Sequence, residues 1–177
     1  MALTLNGNST VKVIDNSKDF NDVSKNNVFY NDICSMSARE IMIGTSDDVF
    51  NLHSNVTLNQ VVNVAERIIG AVDVKDYNAG IVWGKANNLI TGNTPANRGQ
   101  VLQALYIAAV LPVIENPSIL TMFKDSDDIP AEMVAASTWA AQNGILKGTI
   151  DGKANLRVNV TRGQACALAS RTIIAID

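Results

Sequence analysis

Two short stretches, Asn143–Gly144–Ile145–Leu146–Lys147–Gly148 and Val160–Thr161–Arg162–Gly163–Gln164, decide the fold, because versions of both recur along the chain. With Gly44, Gly92 and Gly148 set as a common zero, Ile41, Leu89 and Ile145 stand three residues earlier, and Met42, Ile90 and Leu146 two earlier. Nine before the zero stand Ser35, Trp83 and Trp139. After it come Thr57–Leu58–Asn59–Gln60, Asn97–Arg98–Gly99–Gln100 and Thr161–Arg162–Gly163–Gln164. The step from Gly44 to Gln60 and from Gly148 to Gln164 is 16 residues, whereas Gly92 to Gln100 is 8, so the second loop is cut short. Self-similarity at such a period means three copies of one supersecondary unit.

Each copy reads as helix, loop, helix. In the third, Met133, Val134, Ala136, Trp139 and Ala140 form an apolar stripe at helical spacing and predict a helix over 131–143 that ends at Gly144. The second helix of each copy opens on a capping box. Thr57, Asn97 and Thr161 stand three residues before Gln60, Gln100 and Gln164, so the cap oxygen accepts from the N3 amide while the Gln returns to the cap amide. Apolar stripes follow at Val61, Val64, Ala65 and Ile68, at Val101, Leu102 and Leu105, and at Ala165, Leu168, Ala169 and Ile173. The expectation is an all-α chain with six main helices.

Phe20–Asn21–Asp22 and Phe123–Lys124–Asp125 open the first and third copies, and Pro112 and Pro117 mark the linker before the third. Three units that begin near Phe-x-Asp, contain Gly-Ile-Leu-x-Gly and end near Thr-Arg-Gly-Gln resemble the S-layer homology (SLH) domain over residues 19–177. The boundaries are an extension at 1–18, then repeats at 19–70, 71–116 and 117–177. The resemblance implies a pseudo-threefold module around a central helical bundle, without catalytic activity. It implies anchoring at the bacterial cell wall by binding a cell-wall polysaccharide, usually pyruvylated, or a peptidoglycan-linked glycan, in grooves between repeats. The chain departs from the family pattern at Leu58–Asn59, where an Arg is usual, in the shortened second loop, and in Gln60, Gln100 and Gln164, where Glu is common.

Composition excludes several classes and reads more like a binding chain than an enzyme. The chain has 177 residues, 47% apolar and 18% charged, with a net charge of −3, which excludes disorder and argues against nucleic acid as an electrostatic partner. The 20 Asn against 8 Lys suggest an amide-rich surface. The longest apolar run, 104–114, is 11 residues and contains Pro112, too short for membrane insertion. A single His53 without metal-ligand or triad spacing leaves no catalytic or metal constellation and no cofactor. Cys34 and Cys166 read either as one bridge or as two free thiols. In the extension, Leu3, Leu5, Val11 and Val13 around Asn6–Gly7–Asn8 suggest a short hairpin or the tail of a preceding domain. The start shows no signal peptide, so the resemblance implies a fragment of an extracellular, wall-associated protein.

Arg98 and Arg162, each directly after a helix cap, are the sharpest binding candidates: a guanidinium beside exposed first-turn amides suits a carboxylate. Gly44, Gly92 and Gly148 are expected to make positive-φ turns and, by the resemblance, to border the groove. Lys147 stands ready to assist an anion, and Trp83 and Trp139 either stack on sugar rings or pack in the core. Tyr30 and Tyr77 are further groove candidates. Asp125–Ser126–Asp127–Asp128 lacks the Gly and terminal Glu of a calcium loop and reads as helix capping. The alternative to glycan anchoring is a structural or self-association module with degenerate grooves.

Overall fold

A computed structural model describes residues 16, 18–70 and 76–176. The suggested hairpin at the N-terminal extension lies outside the described residues. Among those described, the chain is all-helical, with six α-helices, two short 3₁₀ turns and no sheet. The helices are α1 (Tyr30–Ala38), α2 (Leu58–Ile68), α3 (Tyr77–Ala86), α4 (Arg98–Ala108), α5 (Ala131–Gln142) and α6 (Arg162–Ile176). None of the described helices is long and apolar enough to cross a membrane.

All three capping boxes form. Gln60 N–H donates to Thr57 Oγ1 at 3.3 Å, Gln100 N–H to Asn97 Oδ1 at 2.9 Å and Gln164 N–H to Thr161 Oγ1 at 3.3 Å. The Gln side chains accept in return from the cap amides at 3.1, 2.9 and 2.9 Å. The first helices of the three copies end in a shared way too. The residue four before each reference Gly, namely Glu40, Asn88 or Gly144, is left-handed at φ 56°, 58° and 67°. The next amide then reaches back into the helix: Ile41 to Met36 O, Leu89 to Gly84 O and Ile145 to Ala140 O.

The second helices α2, α4 and α6 pack on one another, with Val61, Val64, Val101, Leu105, Ala165 and Ala169 meeting at the centre. Each first helix packs chiefly on a second helix of another copy: α3 on α2, α5 on α4, and α1 on α6. The order is therefore closed, and the first repeat completes the last. Gly80 makes the α2–α3 approach close, since a Cβ there would lie 2.6 Å from Asn63 Cα.

Where the chain enters the second helices, the three copies interlock through the backbone. Val56 N–H donates to Val160 O at 3.0 Å, Val160 N–H to Ala96 O at 3.1 Å, and Ala96 N–H to Val56 O at 2.9 Å. This ring of three bonds is fully buried, so every polar group in it is satisfied without water. The two Asn-Val-Thr segments, 55–57 and 159–161, take this place in their copies, opposite Pro95–Ala96–Asn97. Around the ring lies the apolar core, including Leu102, Leu105, Ile145 and Trp139. Each fully buried aliphatic side chain of this size contributes about 1.5–3 kcal/mol.

Candidate functional site

The Phe-x-Asp openings turn out to be loop clamps. The Asp22 carboxylate accepts from Phe50 N–H at 2.8 Å and Asn51 N–H at 2.6 Å, and Asp125 accepts from Ala154 N–H at 2.7 Å and Asn155 N–H at 2.9 Å. Burial pushes the Asp22 carboxyl up, but the backbone donors outweigh it and hold the group below its ordinary value. Asp125 thus organises a loop, which corrects the expectation that the 125–128 run caps a helix; the 3₁₀ turn Ser126–Asp128 has no side-chain cap.

The clamped loops present their carbonyls to arginines from another copy. Arg162 Nε donates to Phe50 O at 2.8 Å and Nη2 to Ile43 O at 2.7 Å, while Arg98 Nη1 donates to Ala154 O at 3.0 Å. Leu58 stands in the equivalent place for the second repeat, whose loop lacks the 8 residues that would supply such a carbonyl. Asn59 beside it takes up the slack, accepting from Gly92 N–H at 2.8 Å and donating to Asn93 Oδ1 at 3.0 Å. The missing Arg and the short loop are therefore two sides of one interface.

The first-turn amides of these helices are not exposed, contrary to expectation. Arg98 and Gly99 N–H donate to Val158 and Leu156 O, and Arg162 and Gly163 N–H donate to Ser54 and Leu52 O. Leu58 and Asn59 N–H likewise bond Thr94 and Gly92 O. With the third amide taken by the cap, no donor of the first three is left for an anion.

Three grooves follow the three interfaces. The first, about 460 Å³, is lined by Gly44, Gln60, Asn63, Arg67, Tyr77 and Arg162, among others. The second, about 280 Å³, is lined by Phe29, Arg98, Lys147, Gly148, Gln164 and Arg171, among others. The third, about 480 Å³, is lined by Leu58, Leu89, Ile90, Ile107, Leu111 and Met133, with Gln100, Gln103 and Glu132 also present. Arg67, Ile107 and Arg171 occupy one position, ten residues after the cap of their helices. Arg67 Nη1 donates to Ile41 O at 3.3 Å and Arg171 Nη1 to Ile145 O at 3.2 Å, again at matching places. The repeat register carries this signal, but only when followed past the Gln of the capping box.

Charge separates the grooves. Arg98, Lys147 and Arg171 line the second groove and Arg67 and Arg162 the first; no carboxylate lines either, although Asp125 acts on Arg98, Asp22 on Arg162, and Glu66 and Glu40 on Arg67. The third has Glu132 and no cation. Burial pulls the guanidinium pKa of Arg98 down, Asp125 opposes this, and Arg171 lowers it further. Burial also depresses Arg162 and Arg67.

The remaining candidates divide. Gly148 and Gly92 are left-handed, at φ 76° and 143°, as expected. Gly44 is not; it is needed because a Cβ would sit 2.7 Å from the Phe20 ring. Gly44 and Gly148 border grooves, while Gly92 binds Asn59 instead. Trp139 is 2% exposed and packs on Tyr106 at 5.5 Å, so it offers no face to a sugar. Trp83 is half-buried against the core and lines none of the three grooves. Tyr77 lies on the first groove beneath Arg67, 5.7 Å from ring centre to guanidinium, whereas Tyr30 donates to Asp19 at 2.8 Å. Cys34 and Cys166 are both free, the latter buried in α6 with its thiol pKa pushed up.

No protein-family model matches the chain, and no curated protein matches it either.

Proposed function

We propose that this chain is a non-catalytic cell-wall anchoring module of the SLH type, a pseudo-threefold arrangement that binds an anionic, pyruvylated wall glycan in its two cationic grooves. The reading places it outside the cell, in the wall. The observation that carries it is the second groove, where Arg98, Lys147 and Arg171 share a lining that includes no carboxylate, in a chain of net charge −3. The first groove repeats the arginine pair with Arg162 and Arg67. A carboxylate bound between Arg98 and Arg171 relieves their mutual repulsion and gains charge-assisted hydrogen bonds. The closed packing order and the three-bond backbone ring support the pseudo-threefold part of the reading.

The test is sedimentation with purified wall sacculi, before and after chemical removal of pyruvate. Binding should fall on removal, and the double substitution Arg98→Gln with Arg171→Gln should weaken it about tenfold or more. Undiminished binding to depyruvylated walls overturns the ligand class. No binding to intact walls favours the structural alternative.

A further inference from the structure

The two cationic grooves share an arginine pair but differ in one buried side chain. At the same distance past the cap of each second helix stand Asn63, Gln103 and Ala167, and each lines a groove. Ala167 gives the second groove a methyl, whereas Asn63 gives the first a carboxamide that is 6% exposed. Asn63 Nδ2 donates to Asn59 O at 2.7 Å and to Tyr77 O at 3.1 Å, and Asn59 and Tyr77 line the same groove. Those two bonds fix the amide's orientation, since a flip would set its oxygen against both carbonyls. Asn63 Oδ1 is then left buried with no hydrogen-bond partner among the described residues. The other two buried side-chain oxygens of this kind, on Ser37 and Ser137, line none of the three grooves. A buried acceptor is seldom left so, because an unsatisfied one costs stability. Helix α3 makes room for the amide: a Cβ at Gly80 would lie 2.8 Å from Asn63 Cγ, and the other copies carry Asp32 and Ala136 at that place.

We propose that the first groove reads a hydroxyl group beside the anion, with Asn63 Oδ1 as its acceptor. It takes a carboxylate-bearing sugar ring with a free hydroxyl, whereas the second groove takes the anionic group alone. This rests on the reading that both cationic grooves bind an anionic glycan. The donor has to be neutral, because Arg67 and Arg162 line the same groove and repel an ammonium. The space available fits the difference, at about 460 Å³ in the first groove against about 280 Å³ in the second. A second repeat position separates the grooves in the same sense, with the phenol of Tyr77 in the first where the second has Phe29. Because Oδ1 is buried, a lining side chain has to turn aside for the donor, and Tyr77, 58% exposed, is placed to do so. Asn63 is thus a specificity-determining residue whose donors are spent on structure and whose acceptor is not.

The test compares a pair of probes of equal charge, methyl 4,6-O-(1-carboxyethylidene)-β-D-glucopyranoside, which keeps its free hydroxyls, and its 2,3-di-O-methyl ether, which has none. With the second groove weakened by Arg98→Gln and Arg171→Gln, calorimetric titration reads the first. The hydroxylated probe should bind there about tenfold or more tighter than the ether. Adding Asn63→Ala, which sets in α2 the side chain that Ala167 has in α6, should bring the two probes to the same weaker affinity. In the native chain the side-chain carbonyl carbon of Asn63 should move downfield in NMR spectra with the hydroxylated probe, as on accepting a hydrogen bond, and not with the ether. That readout decides the matter even if Asn63→Ala does not fold. Equal affinity for the two probes, a preference that survives Asn63→Ala, or an unmoved Asn63 carbonyl overturns this inference and leaves the anion reading standing. Binding of neither probe to the native chain overturns the anion reading and this inference together.

Discussion

The guanidinium of Arg162 lies 4.8 Å over the ring of Phe50 while its Nε donates to the carbonyl oxygen of that same residue at 2.8 Å. From the other side, Asp22 accepts the amide of Phe50 at 2.8 Å. One residue of the first repeat is thus held at both of its peptide groups, by its own repeat and by the last one. Arg162, 5% exposed, ties the first repeat to the last before it can take part in any ligand contact.

Replacing Arg162 by Met should therefore cost stability. Two loop carbonyls, Phe50 O and Ile43 O, lose their donor, and an unsatisfied buried acceptor costs about 1–3 kcal/mol. The expected loss is about 3 kcal/mol in urea unfolding. Arg98→Met, which surrenders one bond from a half-buried side chain, should lose clearly less.

Asp22 predicts an acid limb in the stability profile. Its folded pKa lies below the ordinary 3.8, so the stabilisation is fully present above that value and is lost as pH falls through the folded pKa. Urea unfolding at pH 6 and pH 3 should show a drop for the native chain. In Asp22→Asn the drop should shrink, because the amide does not titrate and keeps one acceptor. An equal drop in both proteins would remove Asp22 from the acid response.

The shared helix exit supplies a reciprocal pair. Glu40 is exposed and left-handed at φ 56° in the place that Gly144 takes at φ 67°. A non-glycine residue there costs about 1–2 kcal/mol, partly offset by the chain entropy that glycine loses on folding. Glu40→Gly should raise stability by about 0.5–1 kcal/mol, and Gly144→Ala should lower it by a similar amount. No atom lies within 4 Å of a Cβ at Gly144, so thermal melts of the two variants read backbone conformation alone.

The helix interfaces should differ in tolerance. At Gly80 an added methyl meets Asn63 Cα at 2.6 Å and Asn63 N at 2.8 Å, which are backbone atoms of α2 and move only if the helix moves. At Gly99 it meets the side chain of Met133, which is flexible. Gly80→Ala should cost about 2–3 kcal/mol and Gly99→Ala less than half of that. Comparable losses would mean that Met133 has no other rotamer available.

Much of the fold is legible from residues close in sequence. The capping boxes need only a residue and its third neighbour, and all three form as read. The helix 131–143 is found at Ala131–Gln142 because its stripe and its stop at Gly144 are local. Trp83 and Trp139 share a repeat position yet differ in burial, because the stripe predicts a face and not how deeply the neighbouring copy covers it. Arg67 and Arg171 were visible in principle, at a fixed ten residues from their caps, but nothing in one dimension aims them at the groove of Arg162 and Arg98. The apparent anion site at the helix starts failed for a related reason: those amides bond loops from another copy.

By itself the sequence determined that there are three units, that each is a helix, a loop and a capped helix, and that the middle loop is short. These are consequences of capping, turn chemistry and apolar spacing, which act over a few residues. Only the tertiary structure decided which unit each helix serves. Packing of α1 on α6 closes the order, so Leu58 and the short loop meet at one groove while the arginines pair at the other two. That choice rests on burying apolar faces and satisfying backbone groups between copies far apart in the chain, and no local pattern encodes it.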